Sequence, residues 1–122
     1  MRVLICGSRD WTDQSPIAVL IAGLAQLDEP VTIIHGAAKG ADSIAGFYAK
    51  AWKMEVIEEP ADWKTHGRSA GPIRNEKMLN EHIPDVVYAF RLDGKSNGTD
   101  HMIQISRNAD VPTYVLTMAR SE

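Results

Sequence analysis

The sequence predicts an α/β protein: a three-layer fold with helices covering both faces of a five-stranded parallel sheet. Three observations predict it. Short apolar runs rich in Val, Ile and Tyr recur five times along the 122 residues. Several are near-continuous rather than alternating, as strands buried on both faces are. Segments with helical spacing separate them, and each crossover is about one helix long, which suits parallel neighbours joined right-handed.

The strands are expected at VLIC (3–6), VTIIH (31–35), MEVIE (54–58), DVVYAF (85–90) and PTYVLT (112–117). In the first helix Ile17, Leu20, Ile21, Leu24 and Leu27 recur three and four apart, and Pro16 suits its opening turn. In the second, Ile44, Tyr48 and Trp52 form a stripe with alanines beside it. The third begins near Pro72 and ends before Pro84. The fourth starts around Gly98 to Asp100 and runs to about Ala109, with Met102, Ile105 and Ala109 facing inward. After Leu116 the chain tails off in TMARSE.

The length suits one domain over residues 1–122. A net charge of -3 disfavours a large basic surface built for duplex nucleic acid and leaves room for a local cationic pocket. The single cysteine, Cys6, lies in the apolar run RVLIC, so it reads as a small buried residue rather than a redox centre. No stretch approaches the roughly 20 apolar residues of a membrane span, and the amino-terminal segment has no long apolar core. An intracellular, cytoplasmic setting without a membrane partner is expected.

In such folds ligands bind beyond the carboxyl ends of the strands, where strand order reverses. Those ends lead into GSRDW, GAAKGAD, EPADWKTHGRSAGP and RLDGKSNGTD, which hold almost every glycine and most of the reactive polar groups. The opposite loops, LDEP, WK, EHIP and NADV, are short and ordinary. That asymmetry marks a site.

The first of these loops offers Gly7, Ser8 and Arg9 to a ligand. The second offers Gly36, Ala37, Lys39 and Gly40, with Asp42 either contacting ligand or capping the next helix. The third offers Asp62 and Trp63, then Arg68, Ser69 and Gly71, then Arg74 and Asn75. The fourth offers Asn97, Gly98 and Thr99; Thr99 or Asp100 either caps a helix or helps cradle a phosphate or carboxylate.

No loop has the G-x-G-x-x-G or G-x-x-x-x-G-K-[ST] order. Guanidinium forks at Arg9, Arg68 and Arg74, with Lys39, nevertheless suit phosphate oxygens, so a phosphorylated small molecule is favoured over a long nucleic-acid strand. Asp10, Asp42, Asp62 and Asp100 supply carboxylates at this edge for a ribose hydroxyl, a water or a developing sugar cation. Trp11 and Trp63 either stack on a base or seal the mouth of the core. His35 and His66 lack metal-ligand spacing, so no metal is expected. No Ser-His-Asp order or G-x-S-x-G elbow points to a serine nucleophile.

Together GSRDW, HGAAKGAD, ADWKTHGRSAGPIRNEKM and the NGTD turn resemble the YspA-like branch of the SLOG superfamily, over nearly the whole chain. The resemblance implies a Rossmann-like domain, a nucleotide or nucleotide-derived ligand, no separate cofactor, and a homo-oligomer such as a homodimer. The superfamily includes cytokinin-activating phosphoribohydrolases and DNA-processing proteins. The former carry an arginine-lysine pair in a helix and a glycine-rich loop ending in a threonine followed by acidic residues. Arg74 matches the helical arginine, Asn75 replaces the lysine, and Gly98 and Thr99 match the turn. The acid is not matched in position: Asp100 immediately follows Thr99, and the next residue is His101.

The resemblance thus implies binding of a nucleotide or phosphorylated nucleoside derivative. If the site is catalytic, the expected reaction is hydrolysis of the N-glycosidic bond, with Arg74 holding substrate and Asp100 or Asp62 favouring the electron-poor sugar or orienting water. A binding-only nucleotide sensor and a single-stranded DNA-processing or binding protein are the alternatives.

Overall fold

In the computed structural model, which describes residues 1–120, five strands follow one another in the expected order with helices in each of the four crossovers. β1 (Arg2–Gly7), β2 (Thr32–His35), β3 (Glu55–Glu58), β4 (Val86–Leu92) and β5 (Thr113–Met118) form one sheet in the order β3-β2-β1-β4-β5. Every pairing is parallel. The chain moves outward from β1 through β2 to β3, then returns to the other side of β1 for β4 and β5. That reversal lies between β1 and β4, whose carboxyl ends pair Gly7 with Phe90.

Side chains alternate across β1 and supply two cores. Val3 and Ile5 meet α1 (Ser15–Leu24) and α2 (Ala41–Ala51) on one face. Leu4 and Cys6 meet Met78 and Met102 on the other, where α4 (Ala70–His82) and α5 (Asn97–Asn108) pack. The period of two is the pleat itself. Burial drives the Cys6 thiol strongly upward, so it stays protonated and acts as a small apolar residue.

Two helices bury a different face from the one their large residues suggest. In α2 the stripe Ala41, Ala45 and Ala49 is fully buried, while Ile44 and Tyr48 flank it and Trp52 is exposed. Small side chains let the helix axis approach the sheet, so the larger ones are displaced to its margins. In α5 the inner face is Met102 with Ser106; Ile105 is half-buried and Ala109 is exposed. Leu27 of the first periodic segment lies beyond α1 and is exposed.

The third crossover contains more than one helix. A single turn, α3 (Trp63–His66), and a 3-10 turn (Gly67–Ser69) precede α4, which begins at Ala70 rather than near Pro72. Ala70 and Gly71 are buried and small enough to admit this early start.

Two glycines give opposite mutational expectations. A Cβ on Gly7 would collide with the Phe90 carbonyl and lie 2.5 Å from Ala41 Cβ, and backbone cannot step aside. Gly7→Ala is therefore expected to lower stability by about 1–3 kcal/mol or more. Gly23, inside α1, has nothing within 4 Å of the place an added methyl group would occupy. Gly23→Ala is expected to raise stability by about 0.5–1 kcal/mol. Denaturant unfolding of the two variants measures both.

Candidate functional site

A cavity of about 460 Å³ opens at the carboxyl edge of the sheet, beside the reversal between β1 and β4. Its floor is closed by a serine pair. Ser8 is buried, and its Oγ accepts from the Leu92 amide at 2.9 Å. Ser96 Oγ donates to the Leu92 carbonyl at 3.0 Å. The 2.9 Å contact between the two hydroxyls therefore runs from Ser8 to Ser96, because the single Ser96 proton is already committed. Ser8 continues the ladder between β1 and β4 where their pairing ends.

Arg74 forms the wall. It is the fifth residue of α4, past the first turn, so the unfavourable end of the helix dipole falls before it. Its Nη1 donates to the Gly36 carbonyl at 2.5 Å, and its Nε donates to Asn75 Oδ1 at 3.0 Å. A Cβ on Gly36 would sit 2.7 Å from the guanidinium carbon and 2.9 Å from Asp42 Oδ2. Only glycine leaves room for the cation here. Burial lowers the Arg74 pKa and nearby Asp42 opposes that shift; at the ordinary pH range the guanidinium remains charged.

Asp42 caps the loop before its helix rather than the helix itself. Its Oδ2 accepts from the Gly36 amide at 3.0 Å and the Ala38 amide at 3.3 Å, while α2 has no side-chain cap. Gly40, at φ 78°, carries the loop so close to Ser8 and Arg9 that a Cβ would lie 2.8 Å from the Arg9 carbonyl carbon. Burial pushes the Asp42 carboxyl up to about 6, against the pull of the two amides, Arg74 and Arg9.

Asn75, 3% exposed, links Arg74 to the start of α5. Its Nδ2 donates to the Gly98 carbonyl at 3.1 Å and also contacts His101 Nδ1 at 3.1 Å. Thr99 is buried beside it. At the outer mouth the Arg9 guanidinium lies 5.2 Å from the centre of the Trp63 ring, which is 47% exposed.

The cavity therefore gathers Gly7, Ser8, Arg9, Asp42 and Trp63 from the first half of the chain. From the second half it gathers Arg68, Gly71, Arg74 and Asn75, then Asn97, Gly98 and Thr99. Gly36 stands just behind, through its carbonyl to Arg74. Ala37, Lys39, Gly40 and Ser69 do not line it, nor do Asp62 and Asp100. Asp62 accepts from the Thr65 amide at 3.1 Å, capping α3, and the Thr65 side chain together with that amide holds its pKa low. Asp100 faces Arg91, 2.6 Å from its Nε. Trp11 belongs to the core: it is 2% exposed, packs edge-on to Phe90 and donates its indole proton to the Asp13 carbonyl. His35 is likewise buried behind the site and accepts from the Ala37 amide.

Lys95, Ser96, His101 and Arg120 also line the cavity and were not singled out as ligand contacts by their loops. Arg120 comes from the segment after β5. Its Nε and Nη2 each donate at 2.6 Å, to the Asp93 and Lys95 carbonyls, and Nη1 lies 3.1 Å from Asp10. The signal was present: a fifth parallel strand must also end at this edge.

A model of the YspA, cpYpsA-related SLOG family matches residues 1–66. Over 117 residues the chain is 37% identical to the Gene 61 protein of Mycobacterium phage D29, covering 91% of this chain and 92% of that protein. The chain belongs to this SLOG family. Among solved structures it is similar to the C-terminal domain of a hydrogenase from Pyrococcus furiosus, with a TM-score of 0.56 at 16% identity. That match covers 93% of this chain and 88% of the other, and shows the fold alone. SLOG membership supports a nucleotide-type ligand in general. The family match ends before Arg68, Arg74 and the α5 start, so the cationic wall lies in the segment beyond it. No helix among the described residues is long and apolar enough to cross a membrane.

Asp42 makes stability depend on pH. Its folded pKa lies above its ordinary 3.8, so its contribution is fully present below 3.8 and is lost as pH rises through about 6. Asp42→Asn keeps an oxygen for both amides and removes that titration. Relative to the parent, the variant is expected to gain stability across this interval, by at most about 3 kcal/mol. Chemical unfolding at a series of pH values measures the difference.

Proposed function

We propose that the cavity binds a nucleotide or phosphorylated nucleoside derivative. The observation that carries this is its charge: Arg9, Arg68, Arg74, Lys95 and Arg120 line it against two carboxylates, Asp10 and Asp42, in a chain whose net charge is negative. Asp10 is paired with Arg120 and Asp42 lies beside Arg74, which leaves Arg9, Arg68 and Lys95 as the excess positive charge. Phosphate oxygens suit the start of α5, whose residues Gly98 and Thr99 line the cavity together with Arg74. The Trp63 ring, already met by a planar cation, offers a face for a base at the mouth.

Binding stands ahead of N-glycosidic hydrolysis in this proposal. Neither Asp62 nor Asp100 lines the cavity, and both carboxylates are engaged elsewhere. Asp42, the buried carboxylate that does line it, is held by two amides.

Calorimetric titration with AMP tests the proposal. Arg68 is exposed at the cavity and lies outside the cores, so Arg68→Ala is expected to weaken AMP binding about 2–5-fold without changing the unfolding temperature. Arg74→Gln is expected to weaken it about tenfold or more. An AMP affinity beyond detection in the parent protein sinks the proposal. Release of free adenine during long incubation would move the protein from binder to hydrolase.

A further inference from the structure

We propose that His101 is a hydrogen-bond donor to the ligand through its Nε2–H, and that Asn75 is the positioning residue that holds it in that tautomer. The ligand half of this proposal rests on the nucleotide reading of the cavity; the tautomer half rests on geometry alone.

The geometry points one way because two neighbours of the Asn75 amide have no choice of role. Arg74 Nε can only donate, so the Asn75 atom 3.0 Å from it is the oxygen. The Gly98 carbonyl can only accept, so the atom 3.1 Å from it is the amide nitrogen. Rotating the amide by half a turn would set N–H against N–H at Arg74 and oxygen against oxygen at Gly98. The nitrogen is therefore fixed in place, with one hydrogen for Gly98 and one for His101. His101 Nδ1, 3.1 Å away, must accept.

An imidazole that accepts at Nδ1 carries its proton on Nε2 when neutral. His101 lines the cavity, and among the described residues its Nε2 has no hydrogen-bond partner. The ring is thus a donor into the same space as Arg74, not an acceptor. Its orientation is tied to Arg74 through one buried side chain, so the cationic wall and the α5 start are positioned together. A lysine at position 75 has no acceptor and could not make this bridge. The asparagine is what gives the histidine a defined role.

Nitrogen-15 NMR of ligand-free protein, at a pH where the ring is neutral, tests the lock. His101 signals are assigned by their loss in His101→Gln. The parent is expected to show a bare Nδ1 and a protonated Nε2. An unrestrained imidazole already leans this way, so the decisive measurement is Asn75→Asp, whose carboxylate would accept from Nδ1–H and invert the tautomer. Asn75→Ala provides a second variant and is expected to let the two forms mix. A parent ring protonated at Nδ1 overturns the lock, as does an unchanged tautomer in either folded variant.

AMP titration tests the donor role. His101→Gln, whose amide nitrogen can replace Nε2–H, is expected to bind within about 3-fold of the parent, and His101→Leu about 5–10-fold more weakly. Parent-like binding by His101→Leu overturns the donor role. If the parent itself does not bind AMP, the ligand half falls with the proposed function, while the NMR measurement still decides the lock.

Discussion

A half-buried guanidinium resting on a backbone carbonyl organises the carboxyl edge of this sheet. Arg74 reaches from α4 across the carboxyl end of the sheet to Gly36, the residue that follows β2. A cation in that position imposes requirements on its surroundings. It needs an opposite charge within Coulombic reach, and Asp42 supplies one. It needs space, which the missing side chain of Gly36 provides. It needs its Nε satisfied, and Asn75 accepts from it. The sequence HGAAKGAD and the sequence PIRN are thus two halves of one contact.

The same contact explains how a helix start tolerates an arginine. The early start of α4 moves Arg74 past the first turn, and the adjacent carboxylate offsets its charge in the absence of any ligand. A cation that is already partly desolvated and held at Nε and Nη1 gives up less side-chain entropy on meeting an anion. Of the remaining cations, Arg9 lies against the Trp63 ring. All of Arg68, Lys95 and Arg120 are exposed, and Arg120 is additionally anchored by two carbonyls. The cavity accordingly combines a fixed wall with solvent-exposed charge at its rim.

The fold was legible because its signals are local and repeated. Continuous apolar runs separated by helical periods specify parallel strands buried on both faces, and the concentration of glycine at one set of strand ends locates the edge that carries the cavity. Which face of a helix is buried was less legible, because size does not decide burial. The alanines of α2, not Ile44 and Trp52, face the sheet, because interhelical and helix–sheet distance is set by the smallest residues at the contact. Trp11 and Trp63 have similar settings in sequence, yet one is sealed in the core and the other stands at the mouth.

The sequence by itself determined the layer architecture, the cavity edge and most of the residues gathered there, since each depends on spacing along one element. Tertiary structure alone decided which polar groups were free. Asp62 and Asp100 sit in the expected loops, but Thr65 and Arg91 hold them away from the cavity. Asp42 looked like a cap for its own helix and instead caps the preceding loop. Arg120 joins the site from a segment that reads as a tail, 110 positions from its partner Asp10. A hydrogen bond commits a group in one direction, and that direction is fixed by partners the chain brings together only when it folds.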